Sequence, residues 1–164
     1  MLLDDALRAL SLVGRYPGPV LDVGSGGGSP GIPLAAALPE REVTLLDAQR
    51  RKCDFLRRWA PPNAQVVWGR AEEQPVERWG VALAKALASP PVAAEWCLPL
   101  ARVGGAAILW LGESAELERL TSVSERLGGG PPEDHDGLVV LPKLEPTPPG
   151  FPRRAGVAGK RPLA

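Results

Sequence analysis

The sequence has few of the residues on which several classes of protein depend. Its two cysteines, Cys53 and Cys97, are too few and too far apart to build a disulfide framework or a metal knuckle. We therefore expect two buried thiols in a reducing compartment and no metal site. The 19 basic residues are balanced by 19 acidic ones, so the chain as a whole has no net charge to draw it to nucleic acid or to a membrane.

The sequence also lacks a long apolar run. No stretch reaches the roughly 20 residues of a membrane-spanning helix, and Asp4 and Asp5 lie where a signal peptide has basic residues. The composition is that of an ordinary folded protein, with 45% hydrophobic and 23% charged residues. These features predict one cytoplasmic domain over residues 1–164, a monomer that makes no contact with a membrane.

What the sequence does contain is a repeated alternation of two patterns. Apolar runs bounded by turn residues predict strands at 19–23, 42–48, 64–69, 80–87, 104–111 and 137–143. Segments with helical spacing predict helices at 2–13, 31–38, 49–60, 91–100 and 114–127. Strands that are apolar throughout and alternate with helices are typical of an α/β fold, with a mostly parallel sheet and helices on both faces.

Two segments show neither pattern. Residues 146–164 are rich in Pro, Gly and Arg, which predicts an irregular basic C-terminal tail, just as residues 1–18 predict an N-terminal helix and linker. The stretch "GPPEDHDG", residues 130–137, is typical of a loop. His135, the one histidine of the sequence, is therefore expected to be a solvated loop residue.

The glycine cluster "GGGSPG", residues 26–31, follows the first predicted strand, where sheets of this kind bind ligands. A dinucleotide loop would hold a pyrophosphate on backbone N–H groups, and Asp22 would oppose that anion. S-adenosylmethionine carries an ammonium and a sulfonium instead. Asp22 would balance that charge, Gly24 and Gly26 would let the backbone approach closely, and Asp47 would accept hydrogen bonds from the ribose. A tight turn with a surface aspartate and no ligand is the remaining interpretation.

Four segments of the sequence resemble one family. They are "LDVGSGGGSPGIPLA", "VTLLDAQRRKCDFL", "GRAEE" and "LVVLPKLEPTPPGFPRRAGVAGKRPL", and the resemblance runs from about residue 3 to residue 163. The family is that of the bacterial glucose-inhibited division protein B, whose members methylate a guanine N7 of small-subunit ribosomal RNA. The resemblance implies a class I methyltransferase fold, S-adenosylmethionine as the methyl donor, and ribosomal RNA or the small ribosomal subunit as the partner.

The resemblance also implies a donor site, position by position. Its residues would be Gly24, Ser29, Asp47, Ala48, Gln49, Ala71, Glu72 and Lys85. Ala71 and Glu72 would flank the adenine of the donor. Lys85, at the end of the fourth strand, would be the candidate catalytic residue.

Methyl transfer to guanine N7 agrees with the residues present. The N7 atom has an exposed lone pair, so the reaction needs orientation and no general base. The stretch "SPPV", residues 89–92, lacks the aromatic residue of enzymes that methylate an exocyclic amine, and it predicts the start of a helix instead. Cys97 lies within an apolar helix, away from the position at which methylation of a pyrimidine carbon would need a thiol.

Two clusters of basic residues predict a surface that contacts RNA. One cluster, Arg50, Arg51 and Lys52, comes just after Asp47 at the same edge of the sheet. The other lies in and just before the tail and consists of Lys143, Arg153, Arg154, Lys160 and Arg161. We expect the tail cations to bind RNA phosphate and to contribute little to stability, and a solvated basic surface is the alternative.

The chain departs from the family mainly on the side of the substrate. Lys85 replaces an arginine, Leu111 replaces a lysine, and Asp136 and Gly137 replace a basic–histidine pair. Ser29 stands where the family favours an aromatic residue or leucine, and fewer helical residues precede the first strand. Two alternatives therefore stay open, namely a methyltransferase with another substrate and a donor-binding relative that does not catalyse.

Overall fold

The apolar runs form a seven-stranded sheet in the computed structural model, which describes residues 2–112 and 117–164. The strands are β1 (Val20–Val23), β2 (Val43–Asp47), β3 (Ala64–Trp68), β4 (Trp79–Lys85), β5 (Ala101–Trp110), β6 (Glu133–His135) and β7 (Leu138–Pro142). They lie in the order β3-β2-β1-β4-β5-β7-β6. Strands β1 to β5 are parallel, whereas β7 runs antiparallel to both β5 and β6. The prediction of a mostly parallel sheet is confirmed.

Helices cover both faces of this sheet. They are α1 (Leu2–Leu7), α2 (Leu10–Val13), α3 (Gly31–Ala37), α4 (Arg50–Trp59), α5 (Pro90–Cys97), α6 (Leu117–Arg126) and α7 (Val157–Lys160), with 3-10 turns at Ala71–Glu73 and Leu98–Leu100. Leu12 of α2, Leu34 of α3 and Leu56 of α4 pack on one face, and the residues of α5 and α6 pack on the other. Because β1 and β2 are enclosed on both faces, every residue in them is buried, which explains their uninterrupted apolar runs.

The predicted helices are present with three changes, one of which is that the helix expected over 91–100 ends at Cys97 and is followed by the 3-10 turn Leu98–Leu100. The helix expected over 2–13 is divided into α1 and α2. Residues 114–116 of the helix expected over 114–127 lie outside the described residues, and α6 is described from Leu117. Cys53 and Cys97 are free and buried, as expected. Within the described residues, no helix is both long enough and apolar enough to span a membrane.

The loop expected around His135 is wrong, because Glu133–His135 form strand β6. This strand pairs with β7 through a two-residue turn, in which Asp136 and Gly137 have φ values of 52° and 88°. An Asp-Gly pair with positive φ at both positions is the turn that short antiparallel hairpins prefer. His135 is therefore a half-exposed strand residue. Strand β6 could not be predicted from an apolar run because its three residues are polar. The Asp-Gly pair after it was the feature that indicated a hairpin.

The tail over residues 146–164 is not wholly irregular, and that expectation is corrected. It contains α7, and Ala158 of this helix is fully buried. Phe151 and Leu163 pack against the core on the α5 face. The tail therefore folds back onto the domain, although its composition is that of a flexible segment.

Candidate active site

A cleft of about 330 Å³ opens at the edge of the sheet where β1, β2, β3 and β4 end. Its volume is at the lower end of the range for small-molecule sites. Six of the ten residues predicted to bind the donor line it, namely Gly24, Asp47, Ala48, Gln49, Ala71 and Glu72. The topology brings them together because parallel neighbouring strands end at the same edge.

Asp47 lies at the end of β2 with its carboxylate held in a fixed orientation. Its Oδ1 accepts a hydrogen bond from the Gln49 N–H at 2.9 Å, and its Oδ2 accepts one from the Gly26 N–H at 2.9 Å. The residue is 6% exposed, so these bonds are formed largely out of water. Each carboxylate oxygen has a second lone pair, so Asp47 can still accept hydrogen bonds from a ligand in the cleft.

Asp22 lies in β1, one residue before Val23, which lines the cleft. Its Oδ2 accepts a hydrogen bond from the Gly31 N–H at 3.0 Å, and its Oδ1 has no hydrogen-bond partner among the described residues. Burial raises the pKa of Asp22 to about 7. A Cβ at Gly31 would collide with the Asp22 carboxylate, so only glycine allows this approach of helix to strand. Asp22 does not line the cleft, and any effect on a ligand there would be indirect.

The glycine loop between β1 and α3 forms one wall of the cleft through Gly24. The φ of Gly24 is 71°, and a Cβ at this position would collide with the side chain of Leu87. Gly26 is not among the lining residues but donates its N–H to Asp47. Ser29 also lies away from the lining, and its buried hydroxyl has no partner among the described residues. The loop therefore contributes a close backbone approach rather than side chains.

Glu72 connects the cleft with the tail. It belongs to the 3-10 turn that follows β3, and it lines the cleft. Its Oε2 accepts a hydrogen bond from the Gly156 N–H at 3.0 Å. The position of the tail and the shape of this wall are thus linked by one hydrogen bond.

Lys85 lies at the end of β4 but does not line the cleft. Its ammonium is 2.7 Å from Asp5 Oδ2, and this neighbour lowers the pKa of Asp5. The Asp5 carbonyl also accepts a hydrogen bond from Trp110 Nε1 at 3.4 Å, and Arg8 donates to the Asp136 carbonyl at 2.6 Å. The ends of β4 and β5 and the β6–β7 turn, here called the β4–β5 edge, are therefore covered by α1 and the residue after it. The expectation that Lys85 faces the donor is not met in this arrangement.

Other lining residues were not predicted for the donor site. Leu87 and Trp96 supply an apolar wall, and Arg70 supplies a cation. Lys52, which the sequence predicted only as part of the basic cluster, supplies a second cation. The indole Nε1 of Trp96 is buried and has no hydrogen-bond partner among the described residues. The sequence did contain one indication of this wall. Trp96 is a large aromatic residue in a helix of mostly small residues, and such a side chain must fill a space that its neighbours leave.

The first basic cluster lies beside the cleft. Arg50 and Arg51 begin α4 and are exposed. The Arg50 guanidinium is 5.7 Å from the ring centroid of Trp68, which is 58% exposed. A cation over an exposed aromatic ring is an arrangement that also accepts unstacked bases of RNA.

The expectation that Lys143 contacts RNA is wrong. Its side chain is fully buried, and its ammonium donates to the carbonyls of Leu98 (3.1 Å) and Ala101 (2.8 Å) and to the hydroxyl of Thr147 (2.7 Å). Burial lowers the pKa of Lys143 to about 8, and the Glu77 carboxylate at 3.9 Å opposes that shift. A buried lysine with its donors satisfied by the protein has none left for phosphate.

Arg153 is also committed to the protein, so the expectation that it contributes little to stability is corrected. Its guanidinium donates to Glu95 from Nη2 to Oε1 at 2.6 Å and from Nε to Oε2 at 3.0 Å, and its own N–H donates to Oε2 at 2.9 Å. Glu95 lies on α5 and its side chain is 1% exposed. The tail is thus attached to the domain by a bidentate ion pair with a buried carboxylate. Arg154, Lys160 and Arg161 are exposed.

Solved structures define the class of protein that has this fold. A T. thermophilus 16S rRNA methyltransferase in complex with AdoMet and guanosine superposes with a TM-score of 0.67 at 18% identity, over 90% of this chain and 40% of that one. The magnesium protoporphyrin IX methyltransferase of Synechocystis PCC 6803 superposes with a TM-score of 0.62 at 15% identity, over 85% of this chain and 81% of that one. The fold is that of the class I methyltransferases that use S-adenosylmethionine.

Sequence comparisons then give the family. The family model GidB, described as rRNA small subunit methyltransferase G, matches residues 1–126. Ribosomal RNA small subunit methyltransferase G of Synechococcus sp. is 40% identical over 97% of this chain and 72% of its own length, and that of Rubrobacter xylanophilus is 42% identical over 99% and 71%. This chain belongs to the rRNA small subunit methyltransferase G family. The alignments extend over 186 positions, so these relatives have internal residues that the 164-residue chain lacks.

Proposed function

We propose that this chain transfers a methyl group from S-adenosylmethionine to a guanine N7 of small-subunit ribosomal RNA. The observation that carries the proposal is the cleft at the carboxyl ends of the strands, with the Asp47 carboxylate fixed by the glycine loop, in a chain of this family. The proteins of this family that match are named for methylation of small-subunit ribosomal RNA. We infer a cytoplasmic monomer that uses no metal.

The residues of the cleft fit a nucleoside that carries positive charge. Asp47 has lone pairs free for two ribose hydroxyls, and Leu87 and Trp96 offer apolar surface to an adenine ring. In its ionised form, Asp22 adds negative potential next to the cleft, because a buried carboxylate with an unpartnered oxygen is little screened by water. Ala71 and Glu72 would border the adenine, as the family pattern implies.

Methyl transfer to guanine N7 requires the chain mainly to orient the donor and the RNA. When bound, the donor supplies an electrophilic methyl group. Guanine N7 presents its lone pair without loss of a proton, so no residue of the chain has to act as a base. Gly24 and Asp47 would hold the donor in one position, and the basic residues would hold the RNA so that N7 is aligned with the methyl group. Arg50 and Arg51 lie on the correct edge for this task.

A second candidate function rests on the covered β4–β5 edge. Lys85, which stands where the family pattern has an arginine, is paired with Asp5, and α1 lies over the strand ends. A chain in this state would bind the donor and not admit a ribosomal guanine. A donor-binding relative that does not catalyse, or a methyltransferase for a smaller substrate, would have this arrangement.

The deciding experiment is methyl transfer from tritiated donor to small ribosomal subunits of a strain that lacks the endogenous enzyme. We expect label in one guanine, at N7, with the wild-type chain and with Asp54→Ala, an exposed acid on α4. We expect Asp47→Ala to lose the label. Donor binding by calorimetry with no label in any RNA would favour the non-catalytic relative, and label in a small molecule would favour the other substrate.

A further inference from the structure

A second recess, of about 340 Å³, lies entirely within the tail. It is lined by residues 154–157 together with Lys160 and Arg161. The recess is distinct from the donor cleft, and the two have no lining residue in common. Its polar side chains are those of Arg154, Lys160 and Arg161, so the recess is cationic.

The backbone of this recess is held in place by the domain. Arg153 binds Glu95 as described above, and its Nη2 also donates to the Arg161 carbonyl at 2.8 Å, which joins the two ends of the recess. Ala158 is fully buried between them. A ligand would therefore meet side chains already brought together, without the cost of ordering the segment that carries them.

The three cations of the recess have no ion-pair partner within 4.0 Å among the described residues, and the Glu72 carboxylate reaches the lining only at the Gly156 N–H. Arg154, Lys160 and Arg161 are exposed and take part in none of the ion pairs of the described chain, whereas Arg57 and Arg8 pair with Asp54 and Asp5. The sequence has no Asp or Glu from Pro146 to Ala164. Three like charges around one concavity repel one another until an anion enters, so the recess selects for negative charge.

The recess adjoins the donor cleft through one hydrogen bond. Gly156 lines the recess and donates its N–H to Glu72, which lines the cleft. An anion in the recess would therefore lie beside the wall of the cleft that Glu72 forms. A phosphodiester of a nucleic acid chain is the anion that this position favours, because a polymer can extend from the recess toward the strand ends.

We propose that Arg154, Lys160 and Arg161 form a phosphate subsite that binds the backbone of the substrate RNA beside the donor cleft. The subsite rests on the proposed function for the identity of the RNA. Arg153 has a different task from its neighbour Arg154, since it builds the recess and does not bind phosphate. Phosphate contacts of this kind position the RNA and carry no sequence preference.

The test compares two double variants that each lose two positive charges. Arg154→Ala with Lys160→Ala removes two cations of the recess. Arg15→Ala with Arg78→Ala removes two exposed arginines that precede β1 and β4, at the opposite edge of the sheet. Binding of each variant to 16S ribosomal RNA is measured by anisotropy from 50 to 200 mM salt. Each lost phosphate contact should reduce the slope of log K against log salt by about 0.7–0.9, so we expect a reduction of roughly 1.4–1.8 for the recess double and little for the control.

The outcomes separate this subsite from the proposed function. Equal slopes for the two doubles would overturn the subsite, even if the wild type methylates the RNA. A reduced slope for the recess double alone would support it, even if no methyl group is transferred. Saturation of the recess by millimolar inorganic phosphate with no effect of the double on RNA binding would assign it to a free anion and overturn the proposal. Melting temperature and donor affinity of the recess double should equal those of the wild type, and a large loss of either would also contradict it.

Discussion

The two terminal segments of the chain are attached to the same domain in different ways. At one end, α1 lies across the β4–β5 edge and is held by Asp5, which is 34% exposed and pairs with Lys85 at 2.7 Å. At the other end, the tail is held by Arg153 on Glu95, whose side chain is 1% exposed. Both attachments are ion pairs between residues distant in sequence. They differ in the burial of the acid, since Asp5 is 34% exposed and Glu95 is 1% exposed, whereas the bases Lys85 and Arg153 are 18% and 25% exposed.

Burial determines what each ion pair contributes. An exposed pair contributes about 0–1 kcal/mol because water and salt screen it. Removal of one partner from a buried pair costs about 3–5 kcal/mol, because the other charge is left in a medium that cannot solvate it. The Arg153–Glu95 pair should therefore contribute more to the attachment of the tail than the Asp5–Lys85 pair contributes to the attachment of α1.

The largest effect is expected at the tail. Arg153→Ala should lower the free energy of unfolding by about 3–5 kcal/mol, because the Glu95 carboxylate stays buried without its partner. The adjacent Arg154→Ala should change it by less than about 0.5 kcal/mol, because that side chain is exposed and unpaired. Urea denaturation of both variants measures the difference. Similar small losses in the two would show that the buried pair contributes no more than a surface one.

This pair of arginines shows where sequence reasoning reaches its limit. Arg153 and Arg154 are neighbours in a segment with no hydrophobic period, so no local pattern distinguishes them. The distinction comes from Glu95, which is 58 residues away in the chain. Lys143 was misassigned for the same reason, since its partners Leu98, Ala101 and Thr147 are set by tertiary packing.

Other parts of the fold could be predicted from the sequence. The buried strands β1, β2 and β4 could be predicted because their apolar runs are short and are bounded by turn residues, which favours a buried strand over a helix. The order of the acids and glycines then placed Asp47 at the edge that carries the cleft. Trp96 was missed because it comes from a helix, and the sequence does not specify which of its faces meets the strand ends.

The second-largest effect is expected on donor binding, which does not depend on how the tail is attached. Asp47→Ala should weaken donor binding by roughly ten- to a hundredfold, since hydrogen bonds to a charged acceptor contribute about 1.5–3 kcal/mol. Calorimetry with S-adenosylmethionine measures the change. Asp54→Ala on the exposed face of α4 is the matched control and should bind as the wild type does. Binding by Asp47→Ala at wild-type strength would mean that the cleft does not hold a ribose there.

A smaller effect concerns the pH dependence of donor binding. Burial raises the pKa of Asp22 from 3.8 to about 7, so between these values the folded donor-free chain holds a proton that the unfolded chain releases. Its stability should therefore fall as the pH rises from about 4 to 7. A cationic donor favours the ionised carboxylate, so donor affinity should rise by about tenfold from pH 6 to pH 8.

Asp22→Asn is the control for that dependence. Its amide oxygen can accept the Gly31 N–H as the carboxylate does, but it does not titrate. Calorimetry at pH 6 and pH 8 should give a flat profile for this variant and proton release only for the wild type. A wild-type donor affinity that does not change with pH would show that the charge of Asp22 does not affect donor binding.

The smallest effect is expected at α1, and it tests the comparison of the two terminal segments most directly. Asp5→Asn removes the charge that holds Lys85 while keeping the size of the side chain. We expect about 1 kcal/mol of lost stability, because Asp5 is 34% exposed and the asparagine oxygen can still accept a hydrogen bond from the buried Lys85 ammonium. Release of Lys85 at the end of β4 should raise methyl transfer to small subunits by at most about fivefold, the factor that corresponds to 1 kcal/mol. Asp54→Asn breaks the exposed pair with Arg57 and should change neither quantity measurably. A loss of several kcal/mol in Asp5→Asn would show that α1 is as firmly attached as the tail, and transfer that falls instead of rising would show that the Asp5–Lys85 pair serves the reaction.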